Sequence, residues 1–445
     1  MKNITDLPTM KELEQITFRA LQNSFSKVMA ETLSELDQWI AENRDKKRFY
    51  LKDKRVLQFE SVFGLVEVKR NYYYDQESKK YVYLLDQYIS FEGSKGMSPV
   101  VQDMAIELAV TGVSYRQASA ALETLLGYTV VSHEGIRQQV LQTEIIPTEP
   151  IPLEKPVLFV EVDGLYTKSQ EKGRKGREIK IASVHQGWKM NGKRAKLIGK
   201  RHFIHTGKQP FWEEFEQFLM DTYEYDATKH HLVINGDGAN WITACRDYFR
   251  TQATFVIDRF HVAKDIRSIF HKHRRYRTIR EKLAAYDYEG FMVELNSAVG
   301  TLENESKEKH LEEIIAQLSK YPEALGDYRE KLKKMEIATE GFRPMGSAEG
   351  TMSVFAKRIK HGRSWCKMGL DQFLGVFVAL KDNLTIRTLK GVIEPLRTTQ
   401  DTKALKRTTQ KVTKRAEEAT RQNIPYLNGV VGKPITAALK GLVGF

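Results

Sequence analysis

Cysteine is nearly absent: two occur in 445 residues, Cys245 and Cys366, and no Cys-x-x-Cys spacing exists. A disulfide framework and a thiolate zinc site are both argued against, and a reducing cytoplasm is the expected compartment. Long hydrophobic runs are missing too. The longest, such as Val157–Val160 and Gly375–Leu380, fall far short of the roughly 20 apolar residues that span a bilayer, so no membrane partner is expected. The opening residues, Met1-Lys-Asn-Ile-Thr-Asp-Leu-Pro8, hold no apolar stretch before a small-residue cleavage site, and no secretion signal is read there. No repeat of fixed period is visible. What is present is a chain of 41% hydrophobic and 29% charged residues, long enough for two or three packed units.

The net charge of +13 is unevenly spread: residues 1–350 contribute +1, and residues 351–445, with 18 basic against 6 acidic side chains, contribute +12. An isolated charge run is ordinarily a solvated face. A whole basic segment favours a polyanionic partner, with binding that weakens as salt rises.

Residues 10–42 space Leu13, Ile16, Leu21, Phe25, Val28, Leu33, Leu36 and Ile40 at intervals of three to five, which predicts one long amphipathic helix. From Phe49 the pattern turns β-rich through Val56–Gly64, Leu65–Tyr74 and Tyr81–Leu85, with Gly64 and Asp75–Ser78 as turns, and predicts a small antiparallel sheet. Residues 98–143 predict three short helices, Ser98–Thr111, Ser114–Leu126 and Ser132–Thr143, with Ser114 and Ser132 as N-caps. That is a helix-turn-helix layout. Its last helix would present His133, Arg137 and Gln138 or Gln139 to base edges in a major groove, although many three-helix units merely pack. A Pro-rich connector, Ile146–Pro156, marks a boundary.

Beyond it the expected order is a strand Val157–Val162 ending at Asp163, strands Glu178–Gly187 and Ala195–His205, a helix Pro210–Tyr223, a strand His231–Asn235 leading to Asp237, a helix Trp241–Arg250, and a strand Ala253–Ile257 ending at Asp258. Three leading strands followed by alternating helix and strand describe a mixed α/β sheet, in the order of an RNase-H-like fold. Residues 262–340 lose strand character and are expected to form an all-helical insertion. Helix resumes at Ser347, and residues 395–445 are expected to form a basic tail. The resulting division is 1–45, 46–92, 93–145, 156–261, 262–340, 341–394 and 395–445.

In-line cutting and joining of a phosphodiester needs one cation to activate the attacking oxygen and another to stabilise the leaving one, and a few converging carboxylates can hold both. Asp163, in Phe159-Val-Glu-Val-Asp163-Gly164, and Asp237, in Val233-Ile-Asn-Gly-Asp237-Gly238, each follow a strand and precede a glycine. Alone, such an Asp-Gly is commonly a turn; two at neighbouring strands favour a site. Glu161 shares the parity of Asp163. A third acid should come from a helix returning to the sheet after the insertion. Glu349, two residues after Ser347, stands at the first turn of such a helix, where the bland role is a carboxylate answering the helix dipole; Glu340 is its rival. Lys357, Arg358, Lys360, Arg363 and Trp365 form a basic, aromatic stretch suited to gripping DNA backbone. Asp258 and His261, spaced i,i+3, are either a hydrogen-bonded helix cap or part of the site. His271 and His273 lack further ligands and are read as part of a basic stretch.

These residues resemble bacterial insertion-sequence transposases of the ISLre type, kin to the Mutator-like DDE transposases. The resemblance runs through Lys69-Arg-Asn-Tyr-Tyr-Tyr74, Ser114-Tyr-Arg116-Gln-Ala118, Val162-Asp163-Gly164, Gly236-Asp237-Gly238, Asp258-Arg-Phe-His261 and Ser347-Ala-Glu349. It implies Asp163, Asp237 and Glu349 as a catalytic, metal-binding triad, and Asp258 and His261 as the Asp/Cys-x-x-His signature between the second Asp and the Glu. The expected function is therefore a DNA transposase using two Mg²⁺ or Mn²⁺ ions. Its partners would be terminal inverted repeats, held by the 98–143 unit with Arg116 contributing, and target DNA, in at least a dimer in the bacterial cytoplasm. Two competitors are a non-catalytic DNA-binding regulator and a metal-dependent nuclease that does not join strands.

Overall fold

In the computed structural model, residues 9–91, 96–173, 175–192, 194–360 and 362–388 are described, together with 410, 411, 414, 415 and 418. The expected basic tail, 395–445, lies outside the described residues apart from those five. The chain divides into two compact units, residues 1–144 with 388–445, and residues 145–387. No helix among the described residues is long and apolar enough to cross a membrane.

In the first unit, helix Met10–Asn43 opens on a capping box: the Thr9 hydroxyl accepts from the Glu12 amide while Glu12 accepts from the Thr9 amide at 2.7 Å. Its Leu33, Leu36 and Ile40 bury against Leu57, Phe59, Val66, Val68 and Tyr73 of an antiparallel hairpin, Phe49–Ser61 and Gly64–Asp75. The buried Asp37 carboxylate accepts from the Asn71 amide at 2.8 Å and fastens helix to sheet. The third strand is only Lys80–Val82, and the expected strand through Leu85 is instead a helix, Leu84–Ile89. Leu84, Leu85 and Tyr88 enter the core at helical spacing, which decides the outcome. Three further helices, Pro99–Thr111, Tyr115–Leu126 and His133–Leu141, have Ser98, Ser114 and Ser132 as N-caps through their hydroxyls. Gly127, at φ +76°, terminates the second.

The second unit is a mixed α/β structure on a six-stranded sheet. Strand Val157–Ser169 is central. Antiparallel to it runs Gly176–His185, followed outward by Arg201–His205; on its other side lie His231–Gly236 and then Ala253–Ile257, both parallel; Ser364–Trp365 adds a short parallel pairing at its far end. The sequence places one strand over Ala195–His205. The chain instead forms a side hairpin, Trp188–Asn191 with Arg194–Leu197, and then the edge strand, broken at Gly199 with φ +59°. The helix expected over Trp241–Arg250 is two short pieces, Asn240–Thr243 and Cys245–Phe249.

Alternation along the strands sorts the sheet's two faces. Leu158, Val160, Leu232, Ile234, Phe255 and Ile257 bury beneath helix Phe211–Tyr223 and beneath the helices of the 262–340 segment, whose Phe291, Leu295, Leu311 and Leu318 join the same core. Most of that helical segment therefore packs on this face of the sheet. Val157, Phe159, Val233 and Val256 face the other way, against Tyr328, Leu332 and Phe342.

Candidate active site

The central strand does not end at Asp163. It continues to Ser169 because its hairpin partner pairs with it as far as Lys168 opposite Gly176. Its parallel neighbour, however, makes its last pair at Asn235 opposite Glu161. Asp163 thus stands where one side of the strand has just lost its partner.

Continuing the ladder with the central strand by two positions sets Asp237 opposite Asp163, and continuing the other by one, beyond Gly236 and Ile257, sets Asp237 opposite Asp258. Adjacent strands lie about 4.8 Å apart, so the three aspartates form a row across three neighbouring strands, two of which end there. All three share the parity of Phe159, Val233 and Val256, so they project to one face. Their electrostatics agree. Burial pushes the Asp163 carboxyl up from its ordinary value, and the negative charges of Asp237 and Asp258 add to this, while the Gly164 amide, 2.6 Å away, and the His261 charge oppose it. His261 is raised, first by its 2.7 Å hydrogen bond to Asp258 and then by the charges of Asp258, Asp163 and Asp237. Asp258 also caps helix Arg259–Phe270 by accepting from the Phe260 amide. The helix-cap reading of this pair holds, and the two side chains also act electrostatically on Asp163.

The Asp237 loop is held from two directions. Its carboxylate accepts from the Ala239 amide at 2.9 Å, and its carbonyl accepts from Gln317 Nε2 at 2.9 Å, reaching from helix Glu305–Ser319. Gly238 has φ +89°, and a Cβ there would lie 2.6 Å from Gln317 Nε2, so glycine is what lets that helix approach.

Helix Ala348–Ile359 lies on the same face, fixed at both ends to the central strand. The buried Glu161 carboxylate accepts from the Ser347 hydroxyl at 2.6 Å and from the Ala348 amide at 2.8 Å; at the far end the Thr167 hydroxyl donates to the Ile359 carbonyl at 2.9 Å. Burial raises the Glu161 carboxyl, yet the nearby His185 ring, 3.8 Å away, together with the hydrogen bonds from the Ser347 hydroxyl and the Ala348 amide, outweighs it and holds it below its ordinary value. Glu161, not Glu349, therefore supplies the anion at this helix N-terminus. Glu349 is left exposed in the first turn, free of the capping role, while Glu340 sits exposed in the preceding loop. Lys200 Nζ donates to Thr351 Oγ1 at 2.9 Å beneath the helix. Glu161, Thr167, Lys200 and Gln317 were given no role by the sequence; only the parity of Glu161 with Asp163 hinted at one.

Asp163, Asp237, Asp258 and His261 thus act on one another electrostatically from neighbouring strands, yet among the described residues neither they nor Glu349 belong to a group of three His, Cys, Asp or Glu side chains close enough to hold a metal ion.

A model of the family described as "Uncharacterised protein family (UPF0236)" matches residues 4–392. The chain belongs to the UPF0236 family. Its relatives include a "UPF0236 protein in vanSb 3'region" of Streptococcus gallolyticus, 28% identical over 392 residues that cover 84% of each chain. In Caldanaerobacter subterraneus subsp. tengcongensis, a UPF0236 protein whose name joins four locus designations is 25% identical over 99% of this chain and 92% of its own. Another, whose name joins eleven, is 24% identical over 87% and 80%.

The side chains assigned to DNA divide in this UPF0236 chain. Arg116, His133 and Gln138 are exposed, and Arg137 is half-buried with its guanidinium on Glu134 at 2.7 Å. Gln139 is a correction: it is buried and accepts from Gln102, because it occupies the helix's inner face. Lys357 and Lys360 are exposed. Arg358 corrects the expectation as well, for it is buried with its guanidinium 4.6 Å from the Phe373 ring. Arg363 closes the helix C-terminus by donating to the carbonyls of Lys357, Arg358 and Lys360, and Trp365 packs on Phe373 while donating to the Ile359 carbonyl. The helical spacing that makes 357–365 look like one basic stripe turns half of it inward.

Proposed function

We propose that this UPF0236 chain is a DNA transposase of the DDE type, with an RNase-H-like core, that cleaves element ends and joins them to target DNA. One observation carries the reading: three aspartates that continue the register of three neighbouring strands, on the sheet face to which the helix bearing Glu349 is clamped. The strand order, with a three-stranded antiparallel run followed by two parallel strands, supports the RNase-H-like assignment. Relatives whose names join four or eleven loci are what an element that copies itself leaves behind.

The carboxylates would suit a hard divalent cation once drawn in around it, because a part-buried carboxylate that meets two like charges is relieved by such a cation. Asp163 and Asp237 would hold Mg²⁺ or Mn²⁺, with Glu349 completing the set from its free first turn, and the cations would supply Lewis acidity to the attacking and leaving oxygens. The chain's own part is positional. Asp258 fixes the ring of His261, which offers its charge to the row; Glu161 sets the height of the Glu349 helix; Gln317 pins the Asp237 loop. The helices of residues 98–143, through Arg116, His133 and Gln138, would hold the terminal repeats, and Lys357 and Lys360 the backbone near the cut. Two ends must be held at once, which calls for at least a dimer.

The test is incubation of the full-length protein with Mg²⁺ and DNA carrying the element's ends, mapping broken and newly joined bonds. Cleavage at the ends that Asp163→Asn and Asp237→Asn abolish while end binding persists is the expected result; full cleavage by both variants would remove these residues from the site. A non-catalytic DNA-binding regulator is favoured by the exposure of Glu349, and an absence of metal-dependent nicking would select it. A nuclease that does not join strands would cut the ends and fail with pre-cut ones.

A further inference from the structure

Next to the acid row lies a cavity that the mechanism above does not use. Its volume is about 530 Å³, and its lining includes Lys180, Phe211, Trp212, Trp241, Asp247 and Tyr248. The cavity adjoins the row through two elements. Lys180 is the register partner of Gly164, the residue after Asp163, and Trp241 follows Asp237 by four residues. A Cβ at Gly164 would come 3.8 Å from Trp241 Cζ2, so the indole lies against the backbone beside Asp163. By alternation Gly164 points away from Asp163, so the cavity, whose Phe211, Trp212 and Trp241 pack with Leu158 and Val160, lies on the opposite side of the strand from the acids, one residue along it.

The walls are stiff. Phe211 and Trp241 meet edge to face with ring centroids 5.0 Å apart, and Trp212 Nε1 donates to the Trp241 carbonyl at 2.8 Å. Lys180 Nζ sits 4.7 Å from the Trp241 ring centroid and 6.0 Å from that of Phe211. Fixed aromatic faces with a cation beside them suit a planar π-system joined to an anion. The carboxylate of Asp247 disfavours a bare phosphate here but would accept from a base amino or ring N–H.

We propose that this cavity takes an unpaired nucleobase of the DNA strand whose phosphate lies at the acid row, stacking it against Trp241 while Lys180 meets the adjoining phosphate. A base inside a duplex cannot reach the cavity, so the site selects DNA that is opened or single-stranded next to the cut. This rests on the reading of the chain as a DNA-processing enzyme.

The experiment measures affinity of the full-length protein, in EDTA so that no cutting occurs, for two fluorescein-labelled DNAs: a blunt duplex and the same duplex with a short single-stranded tail carrying 2-aminopurine. The protein is expected to prefer the tailed DNA and to quench its 2-aminopurine. Trp241→Ala should weaken tailed-DNA binding about tenfold, within the range for one lost stacking contact, and leave the blunt duplex unchanged; Trp241→Phe should keep most of the preference. Should Trp241→Ala fail to fold, Lys180→Ala, at a half-exposed position, is expected to reduce the same preference severalfold. Equal loss on both DNAs, or no loss, overturns the cavity's role while leaving the enzyme reading standing. Failure to bind either DNA overturns both.

Discussion

The layer beneath helix Ala348–Ile359 and the row of acids at the strand ends occupy the same face of one sheet, yet they treat charge in opposite ways. In the layer, Glu161 is buried and answered by the Ser347 hydroxyl and the Ala348 amide, with the His185 ring 3.8 Å away, and Lys200 by Thr351. In the row, Asp163 is only partly buried and meets two like charges, with His261 as the cationic counterweight. A satisfied buried network rigidifies what it touches, whereas an unrelieved one is kept for a ligand. The contrast explains why two glutamates so close to one helix N-terminus differ: Glu161 holds the helix, and Glu349 is left free to act.

The largest effect expected from breaking this contrast falls on activity. Asp163→Asn and Glu349→Gln should each lower end cleavage by at least about 10³-fold. Asp163→Asn should melt at or above the parent temperature in calorimetry at neutral pH. The sign follows from its raised carboxyl: ionising it costs folding free energy as pH rises through that range, and the amide removes the cost. Glu161→Ala should do the reverse to stability, costing about 3 kcal/mol in urea unfolding, since it strands buried donors at the helix N-terminus. A loss of cleavage with unchanged stability would instead move Glu161 into the chemistry.

Smaller effects sharpen the same contrast. Gly238→Ala should cost about 2 kcal/mol, from positive φ and from the clash with Gln317. Combined with Gln317→Ala it should cost less than the two single changes added, which a double-mutant cycle measures. His231, buried with its ring nitrogen 2.9 Å from the Thr254 hydroxyl, is pushed down to about 4 by burial. Its folded value lies below the unfolded one, so the unfolded chain binds more protons between about 6.5 and 4. Stability should therefore fall as pH drops through that window, and His231→Gln should flatten the decline in urea titrations taken across it.

Much of this was legible because period and punctuation carry it. The long helix, the hairpin and the three capped helices of the first unit follow from apolar spacing and serines, and strand Ala253–Ile257 appears where its β-branched run lies. The sequence also pointed to the Asp-Gly positions at 163 and 237. It did not reveal that strand Val157–Ser169 runs on past Asp163, because that depends on a hairpin partner whose length local pattern does not encode. Nor did it reveal that Glu161 would take the helix-capping role expected of Glu349, since a buried carboxylate is recognised only by its donors, here drawn from residues 347 and 348. Arg358 and Gln139 were misread for one reason: helical spacing says that a face exists, while packing decides which face turns inward.

The central claim is that Asp163 and Asp237 form one cation site, and electron paramagnetic resonance of Mn²⁺ titrated into the protein bound to end DNA tests it most directly. The account predicts protein-bound Mn²⁺ in the parent chain and its loss in both Asp163→Asn and Asp237→Asn, with both variants still holding DNA. Unchanged Mn²⁺ affinity in the two variants would contradict it.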